Sequence, residues 1–494
     1  MAITRRDFLK TTAVTTAALS FPLASARAYG ANDTIRVAVI GLNGRGKTHM
    51  SRFAGGHGSK IVALCDCDEA VLGKQSDSFE KKNYKVDRVQ DYRKLLDRDD
   101  IDVISIATPN HTHSLLAIQA AEAGKDVYLE KPVSHNVWEG RQAVNASEKY
   151  GRLIQTGTQA RSYPGVKAAV EYVQSGKLGK IKKVVGICYK PRKSIGKLSQ
   201  PLDIPQSINY DLWCGPAAMV DLYRPKLHYD WHWDFNTGNG DMGNQGIHQM
   251  DVARWFLGED ALSSRVLSIG GRVGYEDAGD TPNTQVVYHE FATAPLIFET
   301  RGLPESKEAQ ARWKPMDDYK GLTIGVVVHC ENGYATAEHN GKGAVYTNDG
   351  EEIESWREGE QHFENFLDAV RAGDRSLLHA DIKEGHLSSA LCHTGNISHR
   401  VGQQATEEEI HSMASSQGEA LSESVESLMA HLERNQIKVN EGIVLGPWLE
   451  MDPQTERFTN SDQANKLLRR DGRKPFMVPD LSPQKSAALS TDQA

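Results

Sequence analysis

Between residues 34 and 157, short apolar runs alternate with amphipathic stretches of helical period. The runs fall at 35–40, 60–65, 103–107, 126–129 and 153–156 and are rich in Val, Ile and Leu. Continuous apolar runs of this length suit strands buried on both faces, as in a parallel sheet covered by helices. Helical patterns lie between them near 45–54, 69–82, 114–123 and 138–150, and the third ends at Ala123-Gly124-Lys125, a glycine cap. This alternation predicts an α/β fold with a doubly wound parallel sheet of Rossmann type.

From residue 158 onward the texture changes. A helix over 166–175 is followed by longer β-rich runs at 182–189, 265–273, 285–291, 296–301, 323–330 and 334–338, with a helix over 247–256. Helical patterns return over 362–402, and 407–435 is amphipathic and charged. The tail beyond 441 has little period until 461–470. The pattern predicts a second α/β domain over 158–402, built on a large open mixed sheet, and a helical and irregular C-terminal extension over 403–494. An open sheet face suits subunit association, so a homodimer or homotetramer is expected.

The first strand runs into Gly41-Leu-Asn43-Gly44-Arg45-Gly46-Lys47-Thr48, which satisfies two patterns. As G-x-x-x-x-G-K-[ST] it is the phosphate loop of a nucleotide hydrolase; as G-x-G-x-x-G it is a dinucleotide turn with Asn43 at the middle glycine. Either way, phosphate would rest on backbone N–H groups at a helix N-terminus. A hydrolase also needs a second-strand aspartate for magnesium and a residue to position water. Asp66 instead closes the very next strand, where a dinucleotide fold puts the acid that binds the adenosine ribose. The dinucleotide reading is preferred, with the P-loop hydrolase as the alternative. A carboxylate at 66 repels a 2′-phosphate, which favours NAD over NADP.

The net charge of −8 argues against nucleic acid as a partner. The N-terminus carries Thr4-Arg5-Arg6-Asp7-Phe8-Leu9-Lys10, a mildly apolar stretch over 11–26, and Ala26-Arg27-Ala28. Together these predict a twin-arginine signal over 1–28, cleaved near Ala28, with export to the periplasm by the twin-arginine machinery. The apolar stretch is too short for stable membrane insertion.

Two further segments sit at carboxyl ends of predicted parallel strands, where open α/β sheets bind ligands: Thr108-Pro109-Asn110-His111-Thr112-His113 and Glu130-Lys131-Pro132. With the leading glycine loop, they resemble the glucose–fructose oxidoreductase / inositol dehydrogenase (Gfo/Idh/MocA) family, in an exported bacterial subgroup. The resemblance implies that Gly41, Asn43, Gly44, Arg45 and Gly46 meet a pyrophosphate and Asp66 the adenosine ribose. It places Thr108, Pro109, Asn110 and His113 by the nicotinamide, Glu130 and Lys131 by its ribose, and Gln159 beside the ring. It makes Lys131 the catalytic lysine. An ammonium beside a cationic nicotinamide is electrostatically stressed, which lowers its pKa towards a useful range.

The family's D-x-x-x-H motif appears as Asn244-Gln245-Gly246-Ile247-His248, so His248 is the implied base and Asn244 replaces the aspartate. Asn244 can hydrogen-bond a substrate hydroxyl but cannot stabilise an imidazolium, which predicts a weak base. Upstream, His228-Tyr229-Asp230-Trp231-His232-Trp233 is unusually aromatic. His228, Tyr229, Trp231 and His232 are the expected substrate wall, since aromatic faces pack on sugar C–H faces. Arg161 is assigned to the substrate as well. His228 and His232, four apart, could share a metal on a helix with His248 or Asp241, but no third ligand is fixed by spacing and no metal is assigned.

The expected function is an NAD(P)-dependent oxidoreductase of carbohydrate CH–OH groups, acting on a sugar, polyol or glycoside, with tightly bound NAD in a redox-neutral cycle. The rival from another class is a dinucleotide-loaded binding protein with a degenerate site.

Overall fold

The computed structural model describes residues 33–483. The leader and its cleavage site therefore lie outside the described residues. The first sheet contains β1 (Ile35–Ile40), β2 (Ser59–Cys65), β3 (Asp87–Val89), β4 (Val103–Ile106), β5 (Asp126–Leu129) and β6 (Ile154–Thr156). All its pairings are parallel, in the order β3-β2-β1-β4-β5-β6, so the order of strand addition switches sides between β1 and β4. The five expected strands are present within one or two residues. β3 and the four-residue helix Arg93–Leu96 are additions; the Asp-Arg-Val of β3 offers no apolar run by which to find it.

Period-two alternation sends the strand side chains to two cores. Ala38, Ile40, Ala63, Ile104 and Ile106 face helices His113–Glu122 and Val137–Tyr150. Val37, Val39, Leu64 and Tyr128 face Met50 and Phe53 together with Phe363 and Phe366. Those last two belong to helix His362–Ala372, which returns from much later in the chain to close the first sheet. Phe363 stacks on Tyr128 with centroids 4.4 Å apart, and Gln155 Nε2 donates to the His362 carbonyl at 2.7 Å.

The second sheet is mixed. Its strands run β14-β13-β12-β11-β7-β10-β9-β8-β16-β15, with β17 also on β8. Here β7 is Ile181–Tyr189, β8 Arg265–Gly271, β9 Thr284–Glu290, β10 Leu296–Arg301, β11 Ile324–Cys330 and β12 Tyr334–Glu338. The outlying strands are β13 (Gly343–Tyr346), β14 (Glu352–Trp356), β15 (Gln403–Gln404), β16 (Val444–Leu445) and β17 (Leu449–Asp452). One face, with Val184, Val287 and Phe298, packs on helices Pro164–Gln174, Ile247–Leu257 and Ile382–Arg400.

The sheet is open and mixed, as expected, and its opposite face is covered. Leu267, Ile269, Val286 and Ile297 are buried against Ile410, Leu421, Val425 and Leu428 of helices Glu407–Ser416 and Glu419–Arg434. Val185 and Ile187 of β7 lie under Met316, Tyr319 and Leu322. The surface on which the expected dimer or tetramer rested is thus filled, along β7–β10, by this chain's own later segments.

The C-terminal segment ties the two sheets together. β16 and β17 add to the second sheet, while Phe476 and Val478 enter the core of the first. Arg470 Nε meets Glu139 at 2.6 Å. Phe476 is 2 % exposed, so Phe476→Ala should remove about 3–5 kcal/mol of stability. Calorimetric unfolding of the variant measures this; an unchanged transition would mean that the tail is not part of the folded core.

Candidate cofactor groove and active site

The turn after β1 is shaped by close approach. A Cβ on Gly46 would lie 1.9 Å from the Gly41 carbonyl oxygen, and one on Gly41 would lie 2.7 Å from the backbone of Ala107. Gly41 (φ +85°) and Gly44 (φ +51°) take the left-handed conformations, which leaves Asn43 free of that demand at the motif's middle position. Helix Gly46–Ala54 starts there. Among the described residues, no acceptor faces the amide N–H groups of Asn43, Gly44 or Arg45, so this cradle fits a pyrophosphate. Lys47 is exposed and does not line the groove, which deprives the hydrolase reading of its phosphate lysine.

Asp66 sits at the end of β2 with its Oδ2 accepting from Leu42 N at 2.8 Å and its Oδ1 from Asp68 N at 3.0 Å. Burial pushes its carboxyl up against these two N–H groups. From Asp66 a single groove runs past the glycine loop and Thr108, Pro109, Asn110 and His113 to Lys131 and Asn244. His113 bridges the turns after β4 and β5, with Nδ1 2.6 Å from the Pro132 carbonyl and Nε2 2.7 Å from that of Thr108.

Glu130 is the hub of the far end. Its Oε1 meets Arg45 Nε at 2.6 Å, His49 Nε2 at 3.1 Å and Gln159 Nε2 at 3.4 Å, and its Oε2 accepts from Lys131 N at 3.2 Å. Burial alone would raise this carboxyl, yet Arg45, His49 and Lys131 hold it well below the usual range. Gly157 is required beside it, because a Cβ there would stand 2.9 Å from Glu130 Oε1.

Lys131 Nζ donates to the Asn244 carbonyl at 2.6 Å. Burial lowers its pKa and outweighs the attraction of Glu130. Asn244 thus holds the lysine through its backbone, in the π-helical turn Met242–Gly246. His248, on the next helix, is pushed well below its ordinary pKa by burial, Lys131 and His339. Among the described residues no carboxylate forms an ion pair or hydrogen bond with it, and Glu130 acts on it only through its charge. The neighbouring acids are committed elsewhere: Asp241 to Arg192 at 2.6 Å and Asp251 to Arg161 at 2.9 Å.

Behind Lys131 lies a second chamber that shares Arg45, Glu130 and Lys131 with the groove. Gln159, Tyr163, His248, Gln249 and His339 give it polar walls, and Val166, Val252 and Val326 an aliphatic floor. Gln249 is 3 % exposed and its Oε1 has no partner. His49, Tyr163, Gln249 and His339 were not legible as site residues. Gln249 adjoins the motif histidine, but His339 lies in a hairpin turn without any motif.

Five expected site residues need correction. Arg161 does not line either cavity; its guanidinium is locked between Asp251 and Glu384 (3.0 Å) under Trp255. His228 lies at the adenosine end, with Nε2 3.0 Å from Asp68 Oδ2. Tyr229, Trp231 and His232 line the dinucleotide groove and not the chamber behind Lys131. Only Asp230–Trp233 is helical, as a 3₁₀ turn, so the two histidines share no helix face. Among the described residues no three His, Cys, Asp or Glu side chains converge for a metal, and no helix there is long and apolar enough to cross a membrane.

Residues 35–158 match the model of an oxidoreductase family with an NAD-binding Rossmann fold (GFO_IDH_MocA). Residues 165–307 match the C-terminal alpha/beta domain of the same oxidoreductase family, and residues 2–22 match the twin-arginine translocation signal. A glycosyl hydrolase family 109 protein of Shewanella baltica is 33% identical over 171 residues, 30% of this chain and 37% of the relative. One from Shewanella pealeana is 33% identical over 172 residues, covering 30% and 38%. The matched region therefore spans little more than a third of these relatives. The fold is shared with levoglucosan dehydrogenase in complex with NADH, at TM-score 0.56 and 19% identity over 74% of this chain and 96% of that one. It is shared too with the WlbA dehydrogenase of Bordetella pertussis in complex with NADH and UDP-GlcNAcA, at 0.53 and 19%, over 73% and 94%. The parallel sheet, the glycine cradle, the acid closing β2 and the two matched domains make this chain a member of the Gfo/Idh/MocA oxidoreductase family, with an NAD-binding Rossmann domain and a twin-arginine export signal.

Proposed function

We propose that this protein oxidises a CH–OH group of an uncharged sugar, polyol or glycoside in the chamber behind Lys131, in a redox-neutral cycle with NAD kept bound. The observation that carries the reading is that groove and chamber meet at Arg45, Glu130 and the half-buried Lys131. When bound, NAD supplies a hydride acceptor and later donor. Lys131 takes the hydroxyl proton: burial favours its neutral form, and the Asn244 carbonyl aims Nζ. His248, also neutral, orients the hydroxyl or accepts the proton in its place. Gln159 and Gln249 offer donors and acceptors to neighbouring hydroxyls, while the aliphatic floor meets the sugar's C–H face.

Charge argues for an uncharged substrate. The chamber carries Glu338 and Glu360, and its Arg45 is already engaged by Glu130. An anionic sugar would meet these carboxylates, with Lys131, among the described residues, as the one cation of the lining not already paired with an acid.

The export signal bears on the cofactor. A periplasmic protein would have no pool of NAD to draw upon, so a dissociable cofactor would serve one turnover. Neutral net chemistry avoids this: oxidation to a ketone acidifies the adjacent C–H, an aglycone can then leave by elimination, water adds, and the ketone is reduced. The glycosyl hydrolase naming of the Shewanella relatives and the sugar ligand of the levoglucosan dehydrogenase structures support that route. The second reading, a dinucleotide-loaded binder, is favoured by one observation: among the described residues no carboxylate pairs directly with His248.

A panel of neutral glycosides against their uronic acids, followed by product release, tests the function. Turnover of neutral substrates without net NADH is expected; binding without any turnover would leave the binder. Lys131→Met should lower turnover by about 10²–10⁴-fold with the fold intact. The active form is the unprotonated lysine, so activity should rise with pH through a pKa below the ordinary 10.5 and then level off. A profile in which Lys131→Met keeps both rate and limb would remove the lysine from the mechanism.

A further inference from the structure

The sequence motifs account for the floor of the dinucleotide groove and say nothing of its cover. Residues 206–234 leave the second domain's path and cross to the first. At the adenosine end, Asn209 N donates to the Cys67 carbonyl at 2.9 Å and Glu69 N to the Ser207 carbonyl at 2.9 Å. The segment thereby pairs with the turn that follows Asp66, through a bridge between Asp68 and Ile208. Further along, His228 Nε2 lies 3.0 Å from Asp68 Oδ2. His228 and Ser207 both favour the ionised Asp68.

From there the segment runs the length of the groove. Trp213, His228, Tyr229, Trp231 and His232 all line it opposite the glycine loop. Trp231 and His232 stack at 3.6 Å between centroids, and His232 is close enough to Lys131 to feel its charge. The far end is fastened too: His111 lies between the carbonyls of Trp213 (2.7 Å) and Thr237 (3.1 Å). Tyr229, next to His228, has φ +70° and ψ −49° and is 54 % exposed. That backbone lies outside the ordinary regions for a tyrosine, and such residues cluster at ligand clamps.

We propose that residues 206–234 are a latched cover over bound NAD, and that the His228–Asp68 contact is the latch at the adenosine end. The inference rests on the proposal that NAD stays bound through the cycle, and supplies its structural cause. In this proposal the release of NAD from the groove requires the cover to lift, which breaks the latch and the two main-chain hydrogen bonds beside it. The aromatic residues, first read as a sugar wall, serve instead as the inner lining of this cover.

The test is the exchange of bound NAD against isotope-labelled NAD in the full-length protein, read by mass spectrometry of the released dinucleotide. His228→Ala should release NAD about tenfold faster than wild type, with an unchanged melting temperature. Asp68→Asn is the second variant: Asn still caps helix Glu69–Glu80, where Asp68 now accepts from Ala70 N, but it removes the charge. It should also speed release, whereas His228→Gln, which keeps a donor, should stay near the wild-type rate. Slow wild-type exchange with both His228→Ala and Asp68→Asn unchanged overturns the latch and leaves the bound-cofactor reading standing. Wild type that exchanges within the mixing time overturns both.

Discussion

The buried carboxylate of Glu130 is the constraint around which this active site is arranged. A charge removed from water must be met by opposite charge and hydrogen bonds, or it destabilises the fold by several kcal/mol. Here Arg45 comes from the glycine loop, His49 from the helix after it, Gln159 from the turn beyond β6, and the Lys131 amide from Glu130's own turn. Satisfying one carboxylate therefore fixes the relative positions of the glycine loop, two strand ends and Lys131. Gly157 follows from the same demand, since any side chain there would strike Glu130. Lys131 then has one direction left open, towards the second domain, where the Asn244 carbonyl receives it.

That last contact changes the meaning of Asn244. As a side chain in place of the family's aspartate, it weakens the case for His248 as a proton acceptor. As a backbone carbonyl in a π-helical turn, it orients Lys131, and the orienting does not depend on the side chain. In the proposed cycle proton transfer therefore falls to the lysine, whose pKa burial lowers. His248 keeps its place in the chamber wall beside His339, neutral and without a charged partner among the described residues.

Much of the first domain was legible because its chemistry is local. Strands buried on both faces announce themselves as apolar runs, and a turn that admits no Cβ must be glycine. Asp66 follows from its distance to Gly41, and Lys131 and His248 lie in compact motifs. What was not legible depends on partners far along the chain. Arg161 beside a motif looks like a ligand; its partner Asp251 stands 90 residues away and consumes it. His228 sits in an aromatic run that suits a sugar, yet Asp68, 160 residues upstream, draws it to the adenosine end. The open mixed sheet was legible, but the helices that cover one of its faces were not, because they come more than a hundred residues after the strands they cover.

In the proposed cycle an exported chain carries its NAD with it as a working part. The dinucleotide content of the full-length protein isolated from the periplasm of the producing cell, released by denaturation and quantified by absorbance, tests this. A stoichiometric amount of NAD(H) is expected. Protein that emerges empty and takes up no dinucleotide when it is offered would contradict it.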